Sequence, residues 1–544
     1  MLSGAEIDWG VPFSTSTTVL KDDTGEIGEA CDDTAVPIVL PRRDNPMSHV
    51  VCAGRPSRAP NDVTSVEVAS CTPGETDEQG ISLDRDDDPV APTSQKRKTS
   101  ENSTPEDLRL LAQEIEDLLN NAAANDTVQE CGPAPLRIIA TQPEKVLDLA
   151  HAKLHASPYQ SVPLQWRRLF EEASLYNAVK LLKARSLGTL ANNRVKLRRT
   201  DADVVGVSES GDWLQEIVEV LDRGISLSGA PGRRPVFDAI FEQLCMHIAD
   251  QDRFDWTCFH ILKPPELKSR HPSIATDGPF DLETFQQRLN RDCKPVILSS
   301  AIEHWPARRL WSDPKYLLRL TLGGRRLVLV EIGESYVAEG WSQRMMPMRD
   351  FIATYLLPED PAETGYLAQY DLFAQIPSLR DDIRIPDICY STPPPADTDA
   401  LRTAGLTAVE QLDEPLLNAW LGPKGTKTPL HTDPYHNVFC QVVGYKYVRL
   451  YPPNETDRLY PRGLDEKGIN MENTSRVDMS RLWSQVHDPP ADEADRLSGE
   501  FPLFKEAKYV EAVLKPGDSL YVPLGWWHYV ESLTASFSVS FWWN

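Results

Sequence analysis

Two histidines and one aspartate, far apart in the chain, constrain its fold more than any other feature. His431 and Asp433 stand two apart in Thr428-Pro-Leu-His431-Thr-Asp433-Pro-Tyr-His-Asn437, and His528 follows far downstream in Gly525-Trp-Trp-His528-Tyr529. Residues i and i+2 of a strand share a face. If Pro429 to Asp433 is extended, His431 and Asp433 point to one side, and a distant strand must carry His528 to them. From about residue 255 onward the chain reads as short strands separated by turns, among them Lys294-Pro-Val-Ile-Leu298, Leu327-Val-Leu-Val-Glu331 and Ser519-Leu-Tyr-Val-Pro523. That texture predicts a barrel or sandwich, with a jelly roll as the natural container.

Two imidazoles and a carboxylate are the facial ligand set of non-haem Fe(II), which leaves open positions for a bidentate co-substrate and O2. His-x-Asp alone is a frequent chance pattern. Its weight comes from the later strand Leu520-Tyr-Val-Pro-Leu-Gly-Trp-Trp-His528-Tyr-Val530. A 2-oxoglutarate co-substrate needs a cation for its far carboxylate, because burying that charge without a partner is costly. Lys446 sits in the strand-like run Val442 to Leu450. A lysine there usually occupies the exposed alternate face, so the sequence leaves both roles open. Thr428 and Tyr366 offer hydroxyls and Asn437 an amide to the same carboxylate. His436, three residues past Asp433, is expected to face away from the metal.

The 544 residues would fill about three to four domains, but the 44 prolines and a polar N-terminus reduce that number. Residues 1–103, rich in Asp, Glu, Ser, Thr, Pro and Gly, are expected to be a disordered acidic tail. Lys96-Arg97-Lys98 within it is a weak nuclear-signal pattern, more simply read as a solvated charge run. At Thr104-Pro105-Glu106-Asp107 the pattern becomes a helix start, with a cap, a first-turn proline and acidic residues at the positive end of the dipole. Apolar residues then recur at helical spacing through about 143–156, 164–186, 211–223 and 234–250. The predicted division is a helical domain at 104–255 and a catalytic domain at 256–544. His151 and His155 lie one helical turn apart without a third ligand nearby and are read as surface or packed histidines. A net charge of −25 and a pI near 4.9 argue against direct DNA binding and favour a basic partner. Nine widely spaced cysteines without a CxxC pattern indicate neither a disulfide framework nor a zinc cluster. No signal peptide or membrane-spanning run is visible, so the expected location is nucleus and/or cytoplasm. Oligomeric state is not legible.

Several segments together resemble a known family. They are Lys294-Pro-Val-Ile-Leu298, Glu303-His-Trp-Pro306, Glu331-Ile-Gly333, Trp341-Ser-Gln343, Gly365-Tyr-Leu-Ala-Gln369, Trp420-Leu-Gly-Pro423, the His431–Asn437 run, Gly444-Tyr-Lys-Tyr-Val-Arg-Leu-Tyr451 and Ser538-Val-Ser-Phe-Trp-Trp543. Across about 276–544 the chain resembles the JmjC-domain Fe(II)/2-oxoglutarate oxygenases, most closely the JMJD5/KDM8-like branch of protein hydroxylases. The helical segment before it resembles that family's N-terminal domain more loosely. The resemblance implies an α+β fold: a double-stranded β-helix (jelly-roll, cupin-like) barrel preceded by an all-helical domain. It implies that His431, Asp433 and His528 bind Fe(II), and that Tyr366, Thr428, Asn437 and Lys446 hold 2-oxoglutarate with Trp542 close by. Thr428 stands where close relatives carry serine, and the hydroxyl is kept. It further implies that Glu331, Tyr336, Trp341 and Trp420 line the substrate pocket. A carboxylate beside aromatics suits a guanidinium or ammonium group, although tryptophans are more often barrel core. The expected activity is hydroxylation of a basic residue, arginine by preference, in a protein or peptide. Histone lysine demethylation is the alternative, and an inactive scaffold or a small-molecule cupin are further ones.

Overall fold

The structure, a computed structural model, describes residues 105–544 apart from 121–125, 158–160, 188–211, 246–257, 260, 265–271, 279, 334, 339, 395–405, 407–408, 466–467, 469 and 480–498. The expectations for 1–103, Lys96-Arg97-Lys98 included, lie outside the described residues.

The first part is helical. α1 (Pro105–Asn120) begins with its proline in the first turn, where a missing N–H costs nothing. It buries Leu108, Leu111, Ala112, Ile115 and Leu119. α2 (Pro133–Ile138) and α3 (Pro143–Leu154) follow. α4 (Leu164–Ser186) is the central rod, and it packs against α1, α3 and α5 (Trp213–Ser228). Its Arg168 is buried, with Asp126, Glu171 and Glu172 as ion-pair partners, so the burial of each charge is compensated. Asp212 caps α5 by accepting from the Gln215 amide at 3.2 Å. Gly229 ends the helix at φ 78°, the left-handed position where a Cβ would be strained. α6 (Arg234–Cys245) completes this part.

Two facing sheets make up the rest. The larger has nine strands in the order β1-β2-β11-β8-β13-β6-β5-β3-β4, and the smaller has four in the order β10-β9-β12-β7. In the larger sheet these are β1 (Ala275–Asp277), β2 (Val296–Leu298), β3 (Leu327–Ile332), β4 (Ser342–Pro347), β5 (Gly365–Tyr370), β6 (Leu416–Gly422), β8 (His436–Val443), β11 (Ser519–Val522) and β13 (Ser536–Trp543). The smaller contains β7 (Lys427–His431), β9 (Lys446–Tyr451), β10 (Val510–Leu514) and β12 (Trp527–Ser532). Apart from β1–β2 the pairs are antiparallel, and strands consecutive in sequence alternate between the sheets at β7–β8–β9 and β10–β11–β12–β13. That alternation is the jelly-roll wind, and the fold is the α+β cupin-like barrel expected.

β9 explains why a strand-like run can be buried on both faces. Val448 and Leu450 face the barrel interior, packed with Tyr366, Trp420 and Phe439. Tyr447 and Tyr451 face outward, yet Leu459, Val477, Met479, Phe501 and Trp527 cover them. Leu459, Val477, Met479 and Phe501, from the connection between β9 and β10, therefore act as a second wall for the smaller sheet. Among the described residues no helix is long and apolar enough to cross a membrane.

Candidate active site

β7 and β12 are neighbours, and their register sets His528 directly opposite His431. The strand ends at His431, earlier than expected, because Pro434 turns the chain toward β8. Asp433 is delivered from that turn rather than from the strand. All three side chains are buried. Asp433 Oδ1 lies 3.6 Å from His431 Nε2, and Oδ2 lies 3.4 Å from His528 Nε2. One ligand atom from each falls within 4.8 Å of the others, the one such cluster of three metal-ligating side chains among the described residues.

The second ring nitrogens fix the rings. His431 Nδ1 lies 2.8 Å from the Pro429 carbonyl, and His528 Nδ1 lies 3.0 Å from the Trp526 carbonyl. A carbonyl only accepts, so both Nδ1 atoms carry hydrogen and both Nε2 lone pairs converge on one point. Burial, and then the neighbouring His528 ring, push His431 down to about 4, which keeps it a neutral ligand at neutral pH. Burial alone would raise the Asp433 carboxyl, but the two imidazoles hold it below the usual carboxylate range. This donor set suits a divalent ion of borderline hardness, with protein on one side and cavity on the other.

The cavity encloses about 470 Å³, counting its mouth. Besides His431, Asp433 and His528 its wall includes Tyr366, Trp420, Thr428, Asn437, Phe439 and Lys446. Lys446 is 1% exposed. Its Nζ donates to the Tyr366 hydroxyl at 3.1 Å and lies 5.1 Å from the Phe439 ring centroid, with no carboxylate partner among the described residues. Burial pushes its ammonium down to about 7. The Thr428 side chain lies within hydrogen-bonding reach of the Tyr366 hydroxyl. Asn437 Oδ1 and Trp542 Nε1 are buried without hydrogen-bond partners among the described residues. A buried cation without an anion among the described residues, beside the Asn437 amide and facing a metal-ligand set, fits a small dicarboxylate that chelates the metal.

Not every expected residue lines that cavity. Trp542 stands opposite Asn437 on β13 and stacks on Tyr435, outside the wall. Glu331, Tyr336 and Trp341 are half-buried and also outside it. Glu331 is paired with Tyr366 across β3 and β5, which places it beside the cavity residues. Its carboxylate accepts from the Trp341 indole at 3.3 Å and has no cationic partner among the described residues. Burial raises it to about 7 against that hydrogen bond. Burial also raises the Tyr336 hydroxyl, and the charges of Asp433 and Glu331 both act on it, so the ring lies near both. Trp420 lines the cavity and donates to Ser540 Oγ at 2.9 Å. His436 accepts from the Leu524 amide at 3.3 Å and lies against the Tyr521 hydroxyl at 2.9 Å, apart from the ligand cluster. The rings of His151 and His155 lie 4.1 Å apart and tilted by 38°, in the helical part of the chain and not in the cavity wall.

Sequence reasoning missed the segment 473–475. Thr474 bridges to His431, and the Ser475 amide donates to the Leu430 carbonyl at 2.9 Å. The Thr432 amide donates to the Asn473 carbonyl at 2.9 Å, so this short stretch extends the exposed edge of β7. Thr474 Oγ1 also lies 3.5 Å from the Tyr336 hydroxyl. Nothing in Asn473-Thr474-Ser475 signals a strand, because its pairing depends on an edge formed elsewhere in the chain.

Comparison with known proteins adds the family. Residues 282–544 match the family model of a cupin-like domain. The chain is 33% identical over 408 residues to Jumonji C domain-containing protein 5 of Drosophila melanogaster, covering 73% of this chain and 85% of the relative. It is 31% identical over 457 residues to lysine-specific demethylase 8 of Xenopus tropicalis, covering 78% and 94%. It is 25% identical over 260 residues to the human bifunctional peptidase and (3S)-lysyl hydroxylase JMJD7, covering 46% and 77%. The fold, the convergent His-Asp-His set and these relatives agree: the chain belongs to the JmjC family of cupin-fold, 2-oxoglutarate-dependent non-haem iron dioxygenases.

Proposed function

We propose that this enzyme hydroxylates a basic residue, arginine by preference, in a protein or peptide substrate. In this reading His431, Asp433 and His528 hold Fe(II), and Lys446 takes the far carboxylate of 2-oxoglutarate with Tyr366, Thr428 and Asn437, Trp542 standing alongside. Bound there, iron and 2-oxoglutarate supply the oxidation of a C–H bond by O2, with succinate and CO2 as co-products. The chain's own residues do the rest. The Nδ1–H bonds to the Pro429 and Trp526 carbonyls hold the rings in one orientation. Val448, Leu450, Leu520, Val522 and Val530 form an apolar wall that excludes water. The catalytic part is residues 256–544, and 104–255 is the helical domain.

Glu331 carries the substrate assignment. It is a half-buried carboxylate beside the cavity, without a cation among the described residues and with an indole and a phenol next to it. Lys446 needs an anion, and Glu331 needs a cation. The first need is met by a dicarboxylate and the second by a basic side chain. A planar guanidinium satisfies carboxylate and aromatic face together, which favours arginine over lysine. With Glu331, the net charge of −25 supports a basic peptide.

Lysine demethylation is the second reading. The name of the Xenopus tropicalis relative, lysine-specific demethylase 8, favours it, and a methylated ammonium also suits a carboxylate among aromatics. Succinate release measured with arginine-rich and with methyl-lysine peptides separates the two. Turnover stimulated by the arginine peptides supports hydroxylation. Stimulation by methyl-lysine peptides alone, with formaldehyde, overturns it.

A further inference from the structure

We infer that the helical part of the chain sets the geometry of the substrate side of the site, with Asp222 of α5 as the positioning residue. Glu331 on β3 and Tyr366 on β5 face each other, and the inference rests on their assignment above to substrate and co-substrate. The ladder between these strands is short: it pairs Glu331 with Tyr366 and Ile332 with Gly365. Beyond it β5 is irregular, with a register shift between Leu367 and Tyr370 against β6 and Gln369 at φ 44°. Something other than the ladder must hold the far ends, Leu327 and Tyr370, together.

A fully buried polar knot does so. Asp222 is 0% exposed. Its Oδ2 accepts from the Leu327 amide, the first of β3, at 2.8 Å. Its carboxylate pairs with Arg326, the residue before the strand, at 2.8 Å. Its Oδ1 also accepts from Gln375 Nε2 at 3.2 Å. The same Gln375 nitrogen donates to the Leu327 carbonyl at 2.6 Å, and Gln375 Oε1 accepts from the Tyr370 hydroxyl at 2.7 Å. Asp222 and Gln375 thus stitch the start of β3 to the end of β5 where ladder bonds stop. Arg326 is further wedged between Asp222 and the Phe241 ring of α6, 3.6 Å from its centroid. A second contact, Arg325 to Asp212 at 2.8 Å, ties the approach to β3 to the start of α5. Each β3 residue adds about 3.3 Å, so a slip at Leu327 is transmitted along a stiff strand to Glu331. The substrate cation would then be held at the wrong distance from the oxidising centre.

The expected signature is uncoupling: 2-oxoglutarate is consumed, but the peptide is not oxidised. The test compares Asp222→Asn with the milder Tyr370→Phe, which removes the hydroxyl with its bond to Gln375 and its contact with Ser226 and leaves Asp222 in place. Full-length variants are assayed for succinate formed per peptide oxidised and for peptide KM. Circular dichroism and anaerobic Fe(II) and 2-oxoglutarate titration check that each is folded and loaded. Tyr370→Phe is expected to raise the succinate-to-product ratio about fivefold, the size of one lost buried hydrogen bond. Asp222→Asn should raise it further, and its effect on peptide KM should be less than additive with Glu331→Gln. An unchanged ratio in folded, loaded Tyr370→Phe overturns the inference, as does full additivity with Glu331→Gln. If Asp222→Asn does not fold, Tyr370→Phe alone decides. If Glu331→Gln by itself leaves peptide KM unchanged, the substrate assignment fails, and the inference fails with it.

Discussion

Lys446→Met should make the protein more stable and less able to bind its co-substrate. The ammonium is 1% exposed, has no carboxylate partner among the described residues, and is lowered from 10.5 to about 7 by burial. At about 1.4 kcal/mol for each tenfold change in proton affinity, holding this group costs the ligand-free protein about 4 kcal/mol near pH 7. The sign follows from proton counting. Between about pH 7 and 10.5 the unfolded chain holds the proton more tightly than the folded one, so stability rises with pH across that window. Below about 7 the full cost is present. Methionine fills a similar volume without charge, so the variant loses both the cost and the pH slope. It also loses the charge-assisted bond to the far carboxylate of 2-oxoglutarate, which should weaken affinity roughly 10- to 100-fold. Urea denaturation at pH 7 and 10, with and without 2-oxoglutarate under anaerobic conditions, reads all of this. If the ligand-free variant is less stable than the parent, or binds 2-oxoglutarate as tightly, the role given to Lys446 is refuted.

Glu331→Gln should raise KM for a basic peptide roughly 10- to 100-fold by removing one desolvated ion-pair partner, while anaerobic titration shows 2-oxoglutarate affinity unchanged. Gly422→Ala places a methyl 2.6 Å from Tyr366 Cδ2 and 2.8 Å from Thr426 Cγ2. It should push Tyr366 off Lys446 and raise the 2-oxoglutarate KM by about fivefold, which steady-state kinetics would register. Gly444→Ala is more severe, because φ is +78° and the new methyl would overlap the Ala535 carbonyl oxygen. A loss of roughly 3 kcal/mol or more is expected in chemical denaturation.

The convergence of His431, Asp433 and His528 was legible because metal chemistry demands particular side chains at a particular spacing, and His-x-Asp with a remote histidine states both. Helices α1, α3, α4, α5 and α6 were legible for a similar local reason, in that each repeats its apolar face within a few residues, whereas the short α2 (Pro133–Ile138) carries too few turns to show a period. The role of Lys446 was not, since alternation in β9 cannot reveal that Leu459, Val477, Met479 and Phe501 cover the outer face of that strand. The edge stretch Asn473–Ser475 was hidden for the same reason: its hydrogen bonds go to Leu430 and Thr432, far away in sequence. Asp222 is the clearest case. On its helix it reads as an ordinary polar residue, and its importance appears once Leu327, Arg326 and Gln375 converge on it. Long-range pairing is what a local pattern lacks.

The proposed reaction is oxygen insertion into a basic residue of a protein substrate. The full-length enzyme, loaded with Fe(II) and 2-oxoglutarate, is incubated with an arginine-rich peptide under oxygen-18 gas, and the peptide is sequenced by mass spectrometry. The expected result is a gain of one oxygen-18 atom on an arginine carbon, absent in His431→Ala. Loss of a methyl group from a methyl-lysine peptide, with the arginine peptide untouched, would contradict it.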